Sequence, residues 1–297
     1  MIKKGVIFAI ATAVISGISI FTNAIIVSKT DPLIFTLIRN AVVAVFLMMV
    51  LVARGDIRKL GTLTKRQWGL LILIGAIGGG IPFALFFTGL AKVGALNGNI
   101  IQKTLFLWVL LLAVPILHER VSKVQVAGYL ALFLGMFVFG GTFRVVPTTG
   151  TFLILAATIC WAIENVIAKF ALKTIPAMVV SWGRMMFGLP FLLMAVGVVG
   201  KIGLIASPAS YAILPILASS LLLTLYVATW YSALSMAPVT LVSSILVFAP
   251  VVTALLTGFI LNKIIFHQQA VNLLLLSVGA VLIVIELFLP KKQKESL

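Results

Sequence analysis

The chain has 297 residues, 62% of them hydrophobic and only 9% charged, with a mean hydropathy of +1.27. No soluble domain buries that much apolar surface, so a bilayer is the solvent and soluble classes are excluded. The net charge of +16 would suggest nucleic acid in a soluble chain; here it follows from where Lys and Arg sit and reads as membrane orientation.

Ten apolar runs follow in chain order: 5–28, 32–53, 69–91, 94–117, 123–141, 150–173, 177–199, 209–235, 239–261 and 269–289. Each is close to the ~20 residues that cross the hydrocarbon core. Backbone hydrogen bonding in lipid makes them helices, and the strict alternation of a barrel is missing. The first run resembles a signal peptide after Lys3 and Lys4, but it continues without a convincing cleavage site and reads as a retained span. No polar segment is long enough for a soluble domain. Breaks fall at Asp31-Pro32, Lys92-Val93-Gly94, Ile175-Pro176 and Ala237-Pro238. Of the 22 Lys and Arg, 14 lie at one set of ends, 5 at the other and three (Arg39, Lys103, Arg184) within spans. The positive-inside rule then places both termini in the cytoplasm. The expected location is the plasma membrane of a bacterium or archaeon. Oligomeric state is not readable, and a monomer fits.

Candidate site residues begin with the intramembrane charges, each costing at least ~2.5–3.5 kcal/mol unless it faces a cavity or a partner. Arg39 and Arg184 lie early in their helices, where snorkelling, gating or substrate contact are all open readings. Lys103 is near mid-depth, with Asn99 one turn away on the same face and Asn97 and Gln102 nearby; it could attract a carboxylate or clamp two helices. Trp161, Glu164 and Asn165 share one face of their span and suit the wall of a cavity for an amphipathic zwitterion. Glu164 and Arg184 both fall about 10–14 Å above the inner boundary, at 1.5 Å per residue, and could form an ion pair. Aromatic residues at Phe83, Phe86 and Phe87, and at Tyr226, Trp230 and Tyr231, could hold an apolar side chain or line lipid. Gly78, Gly80 and Pro82 read as a hinge, as does Pro250. Gly75-x-x-x-Gly79 and Gly94-x-x-x-Gly98 permit close helix contact.

An offset of 145 puts Gly150 on Gly5, Arg184 on Arg39 and Leu192 on Leu47; an offset of 144 puts Leu234 on Leu90, Leu261 on Leu117, Gln269 on Gln125 and Gly279 on Gly135. Two halves, 1–144 and 145–297, then carry five spans each, forming one membrane domain. Five is odd, so the second half enters from the opposite face, as in the inverted repeats of secondary transporters. The expected fold is an all-α integral membrane protein of ten transmembrane helices in two inverted five-helix repeats.

Leu117-His118-Glu119-Arg120-Val121, followed by Gln125, Gly128 and Gly135, resembles the drug/metabolite transporter superfamily in its EamA-type branch. The second copy, Leu261-Asn262-Lys263 with Gln269 and Gly279, departs by placing Lys263 where the acid stands. Within the family the chain is most similar to the YddG-type aromatic amino-acid exporters. The resemblance implies a central cavity, a small-molecule substrate such as an amino acid or similar metabolite, and alternating access. Other metabolites, drugs, lipids or nucleotide sugars remain alternative cargo.

Gly17-Ile18-Ser19-Ile20 matches a short intramembrane-protease pattern, but that chemistry needs a base in the membrane, and His118 and His267 fall at helix ends. Neither a phosphate-binding Gly-x-x-x-x-Gly-Lys nor a His-Glu-x-x-His is present. No enzyme activity, cofactor, metal or nucleic-acid partner is expected; membrane lipids are. Single Cys160 excludes an intramolecular disulfide. Polar positions gathered near mid-depth suit alternating access better than a continuous channel.

Overall fold

A computed structural model describes residues 1–26, 31–137, 147–206, 213–261 and 267–285, without the side chains of 24–26, 94–97, 99–100, 136–137, 261 and 267–269. The side chains of Asn97, Asn99 and Gln269, and all of Lys263, therefore lie outside the description. The described residues form helices and no strand. The α-helices are α1 (Ile2–Ile26), α2 (Pro32–Ala53), α3 (Lys65–Ile74), α4 (Ile81–Lys103), α5 (Leu105–Leu117), α6 (Lys123–Phe137), α7 (Thr149–Ala171), α8 (Ala177–Val198), α9 (Ile213–Met236), α10 (Val239–Leu246), α11 (Ala249–Leu261) and α12 (His267–Ile285). Short 3₁₀ turns at Asp56–Thr62 and Ile202–Ala206 follow α2 and α8, and a π-helical segment, Gly75–Gly80, joins α3 to α4.

Seven stretches are long and apolar enough to cross a membrane: Ile2–Asn23, Pro32–Ala53, Lys65–Val93, Thr149–Ala171, Ala177–Val198, Ile213–Met236 and Val239–Ile260. Three apolar helices are shorter, Ile101–Leu117, Lys123–Gly135 and Ala270–Ile285. The chain is a multi-pass membrane protein.

Local chemistry sets the helix ends. Asp31 caps α2 through the amides of Leu33 and Ile34, and Thr64 with Gln67 forms a reciprocal capping box at α3. Beyond α2 and α8 the chain turns at Gly55 (φ 69°) and Gly200 (φ 73°), a left-handed conformation that glycine adopts without strain. These two positions are 145 apart.

The expected break at Lys92-Val93-Gly94 takes an unexpected form. Helical backbone runs through it, yet a Cβ built on Gly98 would overlap Leu90, eight residues earlier. A straight helix would separate them by about 12 Å. So α4 doubles back, and Phe83 and Lys103 reach the same space. A second break, which the sequence reading did not place, separates α4 from α5 at Thr104. Its counterpart separates α10 from α11 at Val247–Phe248; Phe248 lies 144 beyond Thr104.

Contacts between helices come in exchanged pairs. Gly150 on α7 is seated against Val93 and Lys92, and Gly5 on α1 against Ala237 and Met236, the positions the two offsets predict. Gly279 meets the carbonyl of Gly128 across the α6–α12 contact, and Gly135 meets that of Asn272, again an exchanged pair. In lipid, helices associate by close packing more than by water exclusion, which is why small residues occupy these seats.

Candidate functional site

The elements converge on a cavity of about 490 Å³. Its wall takes Ser16 and Ser19 from α1, Arg39 from α2, Phe83, Gln102 and Lys103 from α4, and Phe106 from α5. It also takes Trp161, Glu164 and Asn165 from α7, Arg184 from α8, Tyr226 and Trp230 from α9, Ser243 from α10, and Pro250 and Thr253 from α11. Among the described residues, helices α3, α6 and α12 contribute no lining side chain.

The π-helical segment organises one side. Pro82 has no N–H to offer the carbonyl of Gly78, four residues earlier. That carbonyl instead accepts from Trp161 Nε1 at 3.0 Å and from Arg184 Nη2 at 3.1 Å. Glu164 and Arg184 share the notch left by the missing side chain: a Cβ on Gly78 would lie 2.5 Å from Glu164 Cγ and 3.0 Å from Arg184 Nε. Such segments recur at functional sites because they free backbone groups for other partners.

The expected Glu164–Arg184 ion pair does not form. Among the described residues, ion pairs link Arg54 and Lys59 to Asp56 and Lys201 to Asp31. Glu164 Oε1 accepts from Tyr231 at 2.5 Å, and Arg184 turns to the Gly78 carbonyl. Arithmetic along each helix brings the two near one level but cannot give the rotation of each helix. Asn165 Oδ1 accepts from Trp230 Nε1 at 3.2 Å. Both tryptophans are thus pinned by their N–H. Phe83 meets Trp161 edge-on at 5.4 Å, and Tyr226 stacks on Trp230 at 6.1 Å.

Arg39 and Arg184 were expected nearer the rims; both reach the cavity wall. Arg39 is 8% exposed, its Nε is buried without a hydrogen-bond partner, and its guanidinium lies 5.7 Å from the Phe35 ring. Lys103 makes no hydrogen bond or ion pair with a described residue. It sits at the Thr104 break, where Thr104 Oγ1 bonds the Ile101 carbonyl at 2.6 Å and receives Trp108 Nε1 at 3.1 Å. Phe86 and Tyr231 are buried behind the wall.

Gly78, Gly80 and Pro82 do not line the cavity. The expected hinge is a tightly packed joint. Gly75 abuts Phe187, Gly79 abuts the Arg184 carbonyl, and Gly80 abuts Phe191 and Gly188 of α8. The Gly75/Gly79 pair thus makes the close contact its spacing suggested. Pro250 does line the cavity, in the first turn of α11. Sequence reasoning missed Ser16, Ser243, Thr253 and Phe106. Ser16, Ser19 and Asn23 recur at helical spacing on α1, a signal that was there to read. Asn23 donates to Ser19 at 3.3 Å and accepts from Ser219 at 2.8 Å.

The motif Leu117-His118-Glu119-Arg120-Val121 lies away from the cavity. His118 ends α5 in a left-handed conformation (φ 53°), which aims Glu119 at the start of α10. Glu119 accepts from the Val239 amide at 2.7 Å, the Thr240 amide at 3.0 Å and the Thr240 hydroxyl at 2.7 Å. Lys169 donates to the Leu234 and Ala237 carbonyls at 2.5 and 2.7 Å, closing the end of α9.

Residues 3–141 and residues 148–285 each match the model of the EamA-like transporter family. The chain belongs to the EamA-like transporter family. Two matches to one model account for the offset of 144–145. An uncharacterized transporter from Methanothermobacter thermautotrophicus is 29% identical over 112 residues, covering 36% of this EamA-like chain and 33% of that protein. The match thus spans about a third of the relative's length. A solved structure described only as "Crystal structure of protein" superposes with a TM-score of 0.77 over 96% of this chain and 99% of that one. At 16% identity this is a likeness of fold alone.

Proposed function

We propose that this EamA-like chain is a secondary transporter exporting amino acids, apolar or aromatic ones preferred, or similar amphipathic metabolites, by alternating access. The observation that carries the reading is the cavity, where cations, an acid and two pinned pairs of aromatic rings meet at mid-chain breaks in α4–α5 and α10–α11. Broken helices around a central site are how transporters expose backbone dipoles to cargo without exposing them to lipid. Lys103 is assigned the substrate carboxylate; Glu164 and Asn165 an amino group, in competition with Tyr231 and Trp230; Phe83, Trp161, Tyr226 and Trp230 the side chain. Gln102 flanks the Lys103 end.

The architecture goes with this reading: ten spans in two inverted five-helix halves, 1–144 and 145–297, with both termini cytoplasmic in a plasma membrane. The exchanged contacts and the paired breaks support the two-fold relation. The three shorter apolar helices complete the ten, with α6 and α12 packed together away from the cavity.

Flux of labelled amino acids into proteoliposomes tests the function. Saturable uptake of an aromatic or branched amino acid, reduced about tenfold or more in Lys103→Ala, is expected. Clear flux of a nucleotide sugar or a phospholipid with none for any amino acid or related metabolite would sink the reading.

A further inference from the structure

The groups assigned to an ammonium are already engaged within the protein, and those assigned to a carboxylate are not. Glu164 holds Tyr231 and shares its notch with Arg184, and Asn165 holds Trp230. Against this, Lys103 has no hydrogen bond or ion pair with a described residue. Arg39, nine-tenths buried, keeps its Nε without a partner on the cavity wall. Among the described lining residues, three cations (Arg39, Lys103 and Arg184) stand against one acid, Glu164, so the side chains of the cavity carry surplus positive charge. A buried charge is costly until it is paired and hydrogen-bonded. Leu105 and Phe106 open α5, and Ala249 and Pro250 open α11, against the cavity, but Lys103 ends α4 and Leu246 ends α10 beside them, so the helix dipoles offset and the surplus comes from the side chains.

We propose that the occupant for which this cavity is built is a net organic anion, an aromatic or apolar carboxylate lacking a free ammonium group, and that its export is driven by the inside-negative membrane potential. The inference rests on the transport reading above and narrows its substrate class. Arg39 and Lys103 receive the carboxylate, while the Phe83–Trp161 and Tyr226–Trp230 pairs hold the apolar body. No coupling ion is then required. A potential of about 100 mV shifts the equilibrium distribution of a monovalent anion by about fiftyfold toward the outside.

The test compares phenylpyruvate with phenylalanine, matched in ring and chain, using the full chain in phosphatidylcholine proteoliposomes under potassium–valinomycin potentials. Phenylpyruvate is expected to move saturably, with a kcat/KM about tenfold or more above that of phenylalanine, and its net direction should reverse when the potential is reversed. Arg39→Gln should erase the preference, and Arg39→Lys should retain most of it. If the Arg39 variants do not fold, the two-compound comparison on the unmodified chain still decides. Phenylalanine carried with phenylpyruvate excluded, or phenylpyruvate flux indifferent to potential, overturns the inference and leaves the transport reading standing. If neither compound moves while labelled phosphatidylglycerol added to the vesicles crosses between leaflets, the inference falls together with the amino-acid reading.

Discussion

Pro82 frees the Gly78 carbonyl, and Trp161 and Arg184 both take it; one backbone oxygen thereby fixes an aromatic ring and a cation on the same wall. Gly78→Ala would set a Cβ 2.5 Å from Glu164 Cγ and push the acid and Arg184 apart. Overpacking of this kind costs about 1–3 kcal/mol. The expected outcome is a lower melting temperature in detergent and a loss of flux larger than the stability loss explains. Glycine at this position leaves the room that Glu164 and Arg184 occupy. The charged candidates were legible in the sequence because an ionisable residue in an apolar run is costly wherever it points. Their partners were not, since height along a helix says nothing of rotation about it. Asn40 shows the same limit: it is fully buried in α2 with both amide atoms unpartnered, and no pattern in the sequence marks it.

Among the elements, charged side chains also hold connections outside the cavity. Glu119 caps α10 with both carboxylate oxygens, and Glu119→Ala should cost about 0.5–2 kcal/mol, read as a shift in detergent melting. The family-like motif is therefore a structural cap on α10. Asp31 bonds Lys201 at 2.5 Å and caps α2. Partial burial pushes the Asp31 carboxyl up, but the Lys201 ammonium and the amides of Ile34 and Leu33 outweigh it and hold it below the ordinary 3.8. A depressed carboxylate contributes stability above its unfolded value and loses it as pH falls through the folded one. Asp31→Asn keeps the cap and removes the charge. It should cost no more than about 1 kcal/mol at pH 7 and nothing in acid below the folded value, as melting across a pH series would show. The Thr104 break escaped sequence reading because neither Gly nor Pro marks it; a threonine hydroxyl bonding back to Ile101 accompanies it. Its counterpart at Phe248 was signalled by Pro250.

For the whole molecule, the repeat was the most legible feature, since helix punctuation and two matched arginines survive in an otherwise apolar text. The two-fold exchange of contacts is a property of packing that only coordinates reveal. It has a measurable consequence: Gly5→Val and Gly150→Val fill equivalent seats, on α9 and α4. The two variants should lose comparable stability, about 1–3 kcal/mol each, in parallel melting experiments. The cavity lies where the two copies meet, so its occupant should be reached from one face at a time. Ser16 on α1 lines it, and Cys160 is the single native thiol, so Ser16→Cys in a Cys160→Ser background gives one reporter. Labelling by a membrane-impermeant maleimide, in right-side-out and inverted vesicles, measures this directly. A transported compound is expected to protect the reporter and to shift its reactivity from one face to the other. Equal reactivity from both faces, unchanged by any compound the protein carries, would contradict it.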